Sequence, residues 1–257
     1  MRLITYNVEY CDGINRGWKY LDVFKYFKLV KKTLMQITEE LSKVNPDILG
    51  LIEIDSGSVR FGRKSGSEMF AQKLGMNYWA EKVKYSRRSV YRVLNFFPIV
   101  RKQSNAILSK YKIYSTKYYF FSKGMKRLVI QSAIMVPLGE ESVELNLFAV
   151  HLSLRRKTRE KQLQELGDIV SVCNGPKIVF GDFNNFKGFE ELQELIQKTG
   201  LRDASDNDPF IRTYPSWKPK KHIDHILVSP EIKIKNYEVL DIRLSDHLPV
   251  MIDFEIS

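Results

Sequence analysis

Residues 2–8 alternate apolar and polar positions with β-branched side chains, the pattern of a strand, and carry Asn7 to its C-terminal end. From Phe24 the apolar positions Phe24, Phe27, Val30, Leu34, Ile37, Leu41 and Val44 recur at steps of three and four, predicting a long amphipathic helix that Asn45-Pro46-Asp47 stops. Residues 48–52 are a continuous apolar run, a strand buried on both faces, which delivers Glu53 to its end with Asp55 just beyond. Strand, helix, strand predicts a parallel pair joined by a right-handed crossover. Ser67 reads as the cap of a short helix ending at Gly75, and residues 78–83 as a further strand. Residues 106–108, 112–121, 128–138 and 143–150 continue the strands, with residues 139–142 as a hairpin turn, so the middle of the chain is expected to be antiparallel.

A helix then follows His151, with Leu163, Leu166, Ile169, Val170 and Cys173 on one face and five cations crowding its start. Ile178-Val179-Phe180 leads into Gly181-Asp182-Phe183-Asn184, a strand ending in a tight turn, and a helix with Phe189, Leu192, Leu195 and Ile196 inward comes next. Residues 201–222 read as loop-rich. Residues 223–228, 232–242 and 248–256 read as the last strands. No repeat or linker divides the chain, so residues 1–257 are read as one domain: two sheets face to face with helices outside.

Composition narrows the setting. The chain is 44% hydrophobic and 28% charged, enough to build a full core. It has no run of 18 apolar residues, so no transmembrane helix is expected, and its first residues read as a strand, not a signal peptide. Cys11 and Cys173 form neither a metal-spaced cluster nor a disulfide framework, which fits a reducing, cytoplasmic setting. A formal charge of +11 favours an anionic partner: nucleic acid, phospholipid headgroups or a phosphorylated small molecule. Part of that charge is local. Lys84, Arg87, Arg88, Arg92, Arg101 and Lys102 are interleaved with Tyr85, Tyr91, Phe96 and Phe97, which reads as an exposed arm that holds substrate.

The candidate chemistry lies at the edges of the apolar runs. Asn7, Glu53, His151, Asp182, Asn184, Asp224, Asp246 and His247 all sit there, and the four histidines, 151, 222, 225 and 247, all fall in these stretches. Asp, Glu and Asn present oxygen ligands of the kind Mg²⁺ or Mn²⁺ prefers, and no His-x-x-x-His or Cys pair of the zinc type is present. An Asp–His pair can activate water while a metal neutralises charge on the phosphoryl oxygens, so the residue types suit hydrolysis of phosphate esters.

Seven stretches in order carry a family resemblance: Thr5-Tyr6-Asn7-Val8, Pro46-Asp47-Ile48-Leu49-Gly50-Leu51-Ile52-Glu53, Asn105-Ala106-Ile107-Leu108-Ser109, His151-Leu152, Gly181-Asp182-Phe183-Asn184, Ile223-Asp224-His225-Ile226 and Ser245-Asp246-His247-Leu248-Pro249. Together they resemble the endonuclease/exonuclease/phosphatase superfamily, the DNase I-like fold. That resemblance implies a four-layer α/β/β/α sandwich, two mixed β-sheets packed face to face with helices outside and the site at one end. It implies Glu53 as ligand of the divalent metal with Asn7 and Asp246 close by, and His247 with Asp224 as an acid–base dyad. Asp182 and Asn184 would orient water and phosphate, and His151 would donate to a phosphoryl oxygen. Arg87, Arg88, Arg92 and Asn105 are expected to contact substrate. The basic, aromatic approach to Asn105 departs from the family's Gly-rich one. The expectation is a monomeric phosphodiesterase using Mg²⁺ or Mn²⁺, with a nuclease acting on DNA or RNA as first alternative and a non-catalytic phosphate-binding module as second.

Overall fold

The computed structural model describes residues 1–13, 30–84 and 102–257. Within them are strands β1 (Arg2–Asn7), β2 (Ile48–Asp55), β3 (Tyr78–Val83), β4 (Gln103–Ser109), β5 (Ile113–Phe120), β6 (Leu128–Leu138), β7 (Glu141–His151), β8 (Lys177–Asp182), β9 (Arg202–Asp203), β10 (Asp224–Val228), β11 (Ile232–Val239) and β12 (Val250–Ile256). The helices are α1 (Lys31–Val44), α2 (Gly66–Leu74), α3 (Arg156–Ser171) and α4 (Gln193–Thr199). The strands form two six-stranded mixed sheets, ordered β11-β12-β1-β2-β4-β3 and β5-β6-β7-β8-β10-β9.

Three apolar clusters hold four layers together. Leu3, Ile48, Ile107, Leu147, Phe180 and Ile226 belong to the cluster between the sheets. On the outer face of the first sheet, Ile4, Leu49 and Leu51 meet Leu34, Ile37 and Leu41 of α1 and Phe70 of α2. On the outer face of the second, Phe148, Val150 and Val179 meet Leu163 and Leu166 of α3 and Leu195 of α4. The result is the α/β/β/α sandwich, and residues 48–52 of β2 are apolar without a break because the strand is covered on both faces.

Register decides where the site lies. β1 runs parallel to β2, and β7 parallel to β8, so Asn7, Glu53, His151 and Asp182 all arrive at C-terminal strand ends. β10 and β12 run antiparallel to β8 and β1, so they begin where those strands finish. Asp224 pairs with Asp182, and Asp246-His247 precede Val250, which lies near the end of β1. Side chains from both sheets therefore collect at one edge.

Gly181 makes the turn at that edge possible. Its φ is +137°, and a Cβ added there would fall 2.0 Å from the carbonyl oxygen of Val150, a backbone atom that cannot step aside. Gly181→Ala is therefore expected to cost about 3 kcal/mol or more of stability. Chemical denaturation would show this as a lower midpoint with an unchanged slope. A midpoint equal to the parent's would refute it.

Several boundaries differ from the sequence reading. The second helix is capped by Ser65, whose hydroxyl accepts from the Glu68 amide, whereas Ser67 is buried inside the helix. Ser65-x-x-Glu68 is a capping-box spacing, stronger than the Ser67 signal. α1 begins at Lys31, and Phe24 and Phe27 lie outside the described residues. Glu141 and Ser142 belong to β7, leaving a two-residue turn at Gly139-Glu140. β11 ends at Val239 and β12 begins at Val250, both short of the apolar runs that suggested them. The segment 201–222 is not all loop: it supplies β9 and a bridge between Tyr214 and Lys221.

Candidate active site

At the shared edge is a cleft of about 230 Å³ lined by Asn7, Glu9, Glu53, Lys126, Asp182 and Asn184, with Tyr214, Asp246 and His247 on its other side. Each side chain is aimed by a local device. β2 slips register against β4 between Leu51 and Ile54, and Glu53 takes φ +58° at the bulge. A left-handed non-glycine residue at a bulge is a strained way to turn a side chain out of a ladder. The Asn105 side-chain oxygen receives the Glu53 amide at 3.2 Å. Asn105 itself is fully buried, and this contact with the Glu53 backbone makes it a positioning residue for that carboxylate.

Asp182 uses its two oxygens differently. Oδ1 accepts from the Asn184 amide at 3.0 Å, closing an Asx turn in which Asn184 has φ +53°. Oδ2 faces the cleft, 3.1 Å from Asn7 Nδ2, 3.2 Å from His151 Nε2 and 3.9 Å from His247 Nε2. Asn184 donates to the Leu152 carbonyl, locking the turn to the end of β7. Asn7, expected close to the metal, lines the cleft; its oxygen receives the Glu9 amide at 3.2 Å and its Nδ2 lies toward Asp182.

His247 Nδ1 lies 2.9 and 3.0 Å from the two oxygens of Asp224, and Thr213 donates to Asp224 Oδ2 at 2.6 Å. Tied there, the ring presents Nε2 to the cleft, and Tyr214 packs against it with centroids 4.9 Å apart. Burial works against charge on His247, but Asp224, Asp246 and Asp182 outweigh it and push the imidazole up to about 10. His151 goes the other way: burial, then the ammonium groups of Lys126 and Lys84, bring it down to about 3, so it stays neutral. For Glu53, burial opposes ionisation, yet Lys84, Lys126 and His151 hold its carboxyl down to about 2.

Lys84 departs most from its sequence reading. Placed there in an exposed arm, it is buried at the end of β3, where its amide still pairs with the Gln103 carbonyl. Its Nζ stands 3.1 Å from His151 Nδ1, 3.3 Å from the Tyr10 hydroxyl and 3.5 Å from Glu53 Oε1. The other arm residues named as substrate contacts, Arg87, Arg88 and Arg92, lie outside the described residues. Lys126, Thr213 and Tyr214 are cleft or dyad residues that the sequence did not assign. Lys126 reaches within 3.8 Å of Glu53 from the turn before β6, and no local motif marks it.

The donors fit a hard divalent cation. Glu53, Asp246 and Glu9 bring carboxylates to one cleft, and Glu53 already draws two ammonium groups to within 4 Å. Asp182, Asp224 and His247 also place one ligand atom each within 4.8 Å of one another, a second group that could take a metal.

Fold and site thus define an α/β/β/α sandwich with a cleft of carboxylates and histidines at the strand ends. The chain belongs to the endonuclease/exonuclease/phosphatase family, whose profile matches residues 4–247, and members of that family hydrolyse phosphate-ester bonds. A UPF0294 protein of Yersinia enterocolitica is 30% identical over 122 residues, 46% of this chain and 44% of that protein, so the chain matches less than half the length of that curated relative. Among solved structures, an endonuclease/exonuclease/phosphatase family protein from Bacteroides thetaiotaomicron is similar at TM-score 0.74 and 17% identity, covering 100% of this chain and 98% of its own. A mannosyl-6-phosphatase from Bacteroides thetaiotaomicron is similar at TM-score 0.72 and 16% identity over 100% of both chains. At such identities these two likenesses are of fold.

Proposed function

We propose that this chain, acting as one domain, is a divalent-metal-dependent phosphodiesterase that hydrolyses its substrate by in-line attack of water. The observation that carries this reading is the His247–Asp224 hydrogen bond facing Asp182 across a cleft that also holds Glu53. Glu53 and Asp246 would hold Mg²⁺, or Mn²⁺ in its place. When bound, that ion supplies Lewis-acid neutralisation of charge on the phosphoryl and leaving oxygens. The residues do the rest. Asp224 fixes His247 so that Nε2 can carry a proton at the cleft face. Asp182, with one oxygen committed to its own turn, uses the other to orient water. His151 is kept as a neutral donor by Lys84, whose ammonium can only donate to Nδ1, leaving the proton on Nε2 toward the phosphoryl oxygen. Cys11 and Cys173 are not joined in a disulfide, which fits a reducing compartment, and we place the enzyme there as a monomer. Among the described residues no helix is long and apolar enough to cross a membrane.

A substrate panel tests the assignment: bis-(p-nitrophenyl) phosphate, p-nitrophenyl phosphate, inositol phosphates, phospholipid vesicles, plasmid DNA and single-stranded oligonucleotides, each with Mg²⁺, with Mn²⁺ and with EDTA. Metal-dependent turnover of the chromogenic diester, abolished by EDTA, is the expected result. Preference for the monoester would convert the reading to a phosphatase, and cleavage confined to DNA or RNA would convert it to a nuclease. No turnover of any substrate, or turnover undiminished by EDTA, would overturn it.

A further inference from the structure

Two of the four histidines take no part in the cleft. Asp224 and His225 are successive residues of β10, so their side chains leave on opposite faces of the sheet. Asp224 turns to His247. His225 turns to the outer face, edge-on to Phe183 with centroids 5.6 Å apart. There His225 meets Asp203 of β9, and the His222 ring lies over it with centroids 4.0 Å apart. Asp203, His222 and His225 bring one ligand atom each within 4.8 Å of one another.

The hydrogen bonds of His225 hold a contradiction that a cation resolves. Its Nδ1 is 2.6 Å from Asp203 Oδ2, and its Nε2 is 3.1 Å from Asn185 Oδ1. Both partners are oxygen acceptors, because Asn185 commits its Nδ2 to the Gly188 carbonyl at 3.2 Å. A neutral imidazole has one N–H, so it satisfies one of these contacts and presents a lone pair to the other. A metal ion on Nδ1 of this fully buried ring removes the conflict. A metal on Nδ1 would leave the Nε2 proton donating to Asn185, the outer contact that fixes the orientation of a ligating histidine. Asp203 is supported in the same way, with Oδ1 accepting from the Ser205 amide at 2.8 Å.

We propose that Asp203, His222 and His225 form a second metal site, separate from the catalytic cleft, that takes a late first-row divalent ion of the Zn²⁺ class. Two imidazoles and one carboxylate with an open fourth position are a zinc donor set and a poor one for Mg²⁺. Bonds of about 2.0–2.1 Å in tetrahedral array set ligand atoms about 3.3 Å apart, so Asp203 Oδ2 and His225 Nδ1 would part by less than about 1 Å. Access exists, since His222 and His225 both line a surface cleft of about 510 Å³, whose water would fill the fourth position. The ion would clamp β9 to β10 directly behind Asp224 and, through Asn185, brace the turn that carries Asn184. It would serve as a structural brace for the dyad strand. The inference stands whether or not the proposed activity is correct.

Co²⁺ and Zn²⁺ titrations of metal-stripped protein test this without an activity assay. One equivalent of Co²⁺ should give the intense visible bands of a tetrahedral nitrogen–oxygen site, and Zn²⁺ should erase them. Glu53→Gln combined with Asp246→Asn should leave the bands intact. His222→Ala should weaken uptake by about 10–100-fold. His222 is only partly buried, and its loss keeps the Asp203–His225 pair, so the variant is expected to fold, with circular dichroism as the check. His222→Gln repeats the test with a side chain that keeps hydrogen bonding. The proposal fails if no tetrahedral bands appear, if both His222 variants bind Co²⁺ like the parent, or if the bands vanish with the Glu53 and Asp246 substitutions. The first two outcomes would leave Asp203, His222 and His225 as a hydrogen-bonded cluster without an ion, and the third would place the Co²⁺ in the catalytic cleft.

Discussion

Replacing His247 with Ala is expected to cut turnover by about 10²–10⁴-fold, and Asp224→Ala by a similar factor, with the double variant little worse than either. The reason is geometric. Asp224 makes its contact with His247 through Nδ1, at 2.9 and 3.0 Å, and acts on the cleft through that ring. Removing the carboxylate leaves an imidazole free to rotate and to carry its proton on the wrong nitrogen. Removing the imidazole leaves a carboxylate with nothing to orient. Two residues acting as one device cannot lose the device twice. Thr213→Val offers a milder step, because the hydroxyl only fixes Asp224 Oδ2 at 2.6 Å, and it should cost far less than either dyad residue. Single-turnover rates on the chromogenic diester would read all four variants. A double variant whose loss equals the product of the two single losses would show that the residues act independently and would remove the dyad.

Layer assignment was within reach of the sequence because burial writes itself into periodicity. The unbroken apolar run of β2 reads as covered on both faces, and α1 shows its stripe at steps of three and four. The order of motifs then supplied the sandwich and pointed eight dispersed residues to one edge, where the ends of the parallel pairs β1–β2 and β7–β8 meet the starts of the antiparallel strands β10 and β12. What stayed hidden depends on contacts between distant segments. A lysine whose stem crosses the core has the same letter as one in solvent, so in sequence Lys84 reads with the cations that follow it. Only the pairing of β3 with β4 shows that its side chain must pass inward to Glu53. The left-handed turn at Glu53 left no glycine to announce it. The outer-face cluster is hidden for another reason: it has no His-x-x-x-His spacing, and His222-x-x-His225 finds its carboxylate on β9, outside any local spacing. Ser65 could have been found, since the Glu three residues on was there to read.

Glu53→Ala is expected to abolish metal-dependent turnover and to weaken Mg²⁺ binding, and the structure adds a stability cost that the sequence did not suggest. Glu53 is the acidic partner of Lys84, whose side chain is only 2% exposed. Without the carboxylate, that ammonium is left buried with Lys126 nearby, and both burial and Lys126 disfavour its charge. Burial, only partly offset by Glu53, already lowers Lys84 to about 8. Stripping one partner from such a pair destabilises by up to about 3–5 kcal/mol, with the 3.5 Å separation arguing for the low end. Loss of activity in Glu53→Ala alone would therefore confound a missing ligand with a loosened fold. The double variant Glu53→Ala with Lys84→Met separates them. It removes the orphaned charge and should recover most of the lost stability in chemical denaturation, while turnover and Mg²⁺ affinity stay as low as in Glu53→Ala. Lys84→Met alone should keep Mg²⁺ binding, since one cation competing for the Glu53 carboxylate is gone. If the double variant regained both stability and turnover, Glu53 would be a counterion for Lys84 and not a metal ligand. The metal assignment would then pass to the Asp182, Asp224 and His247 group, whose ligand atoms also lie within 4.8 Å.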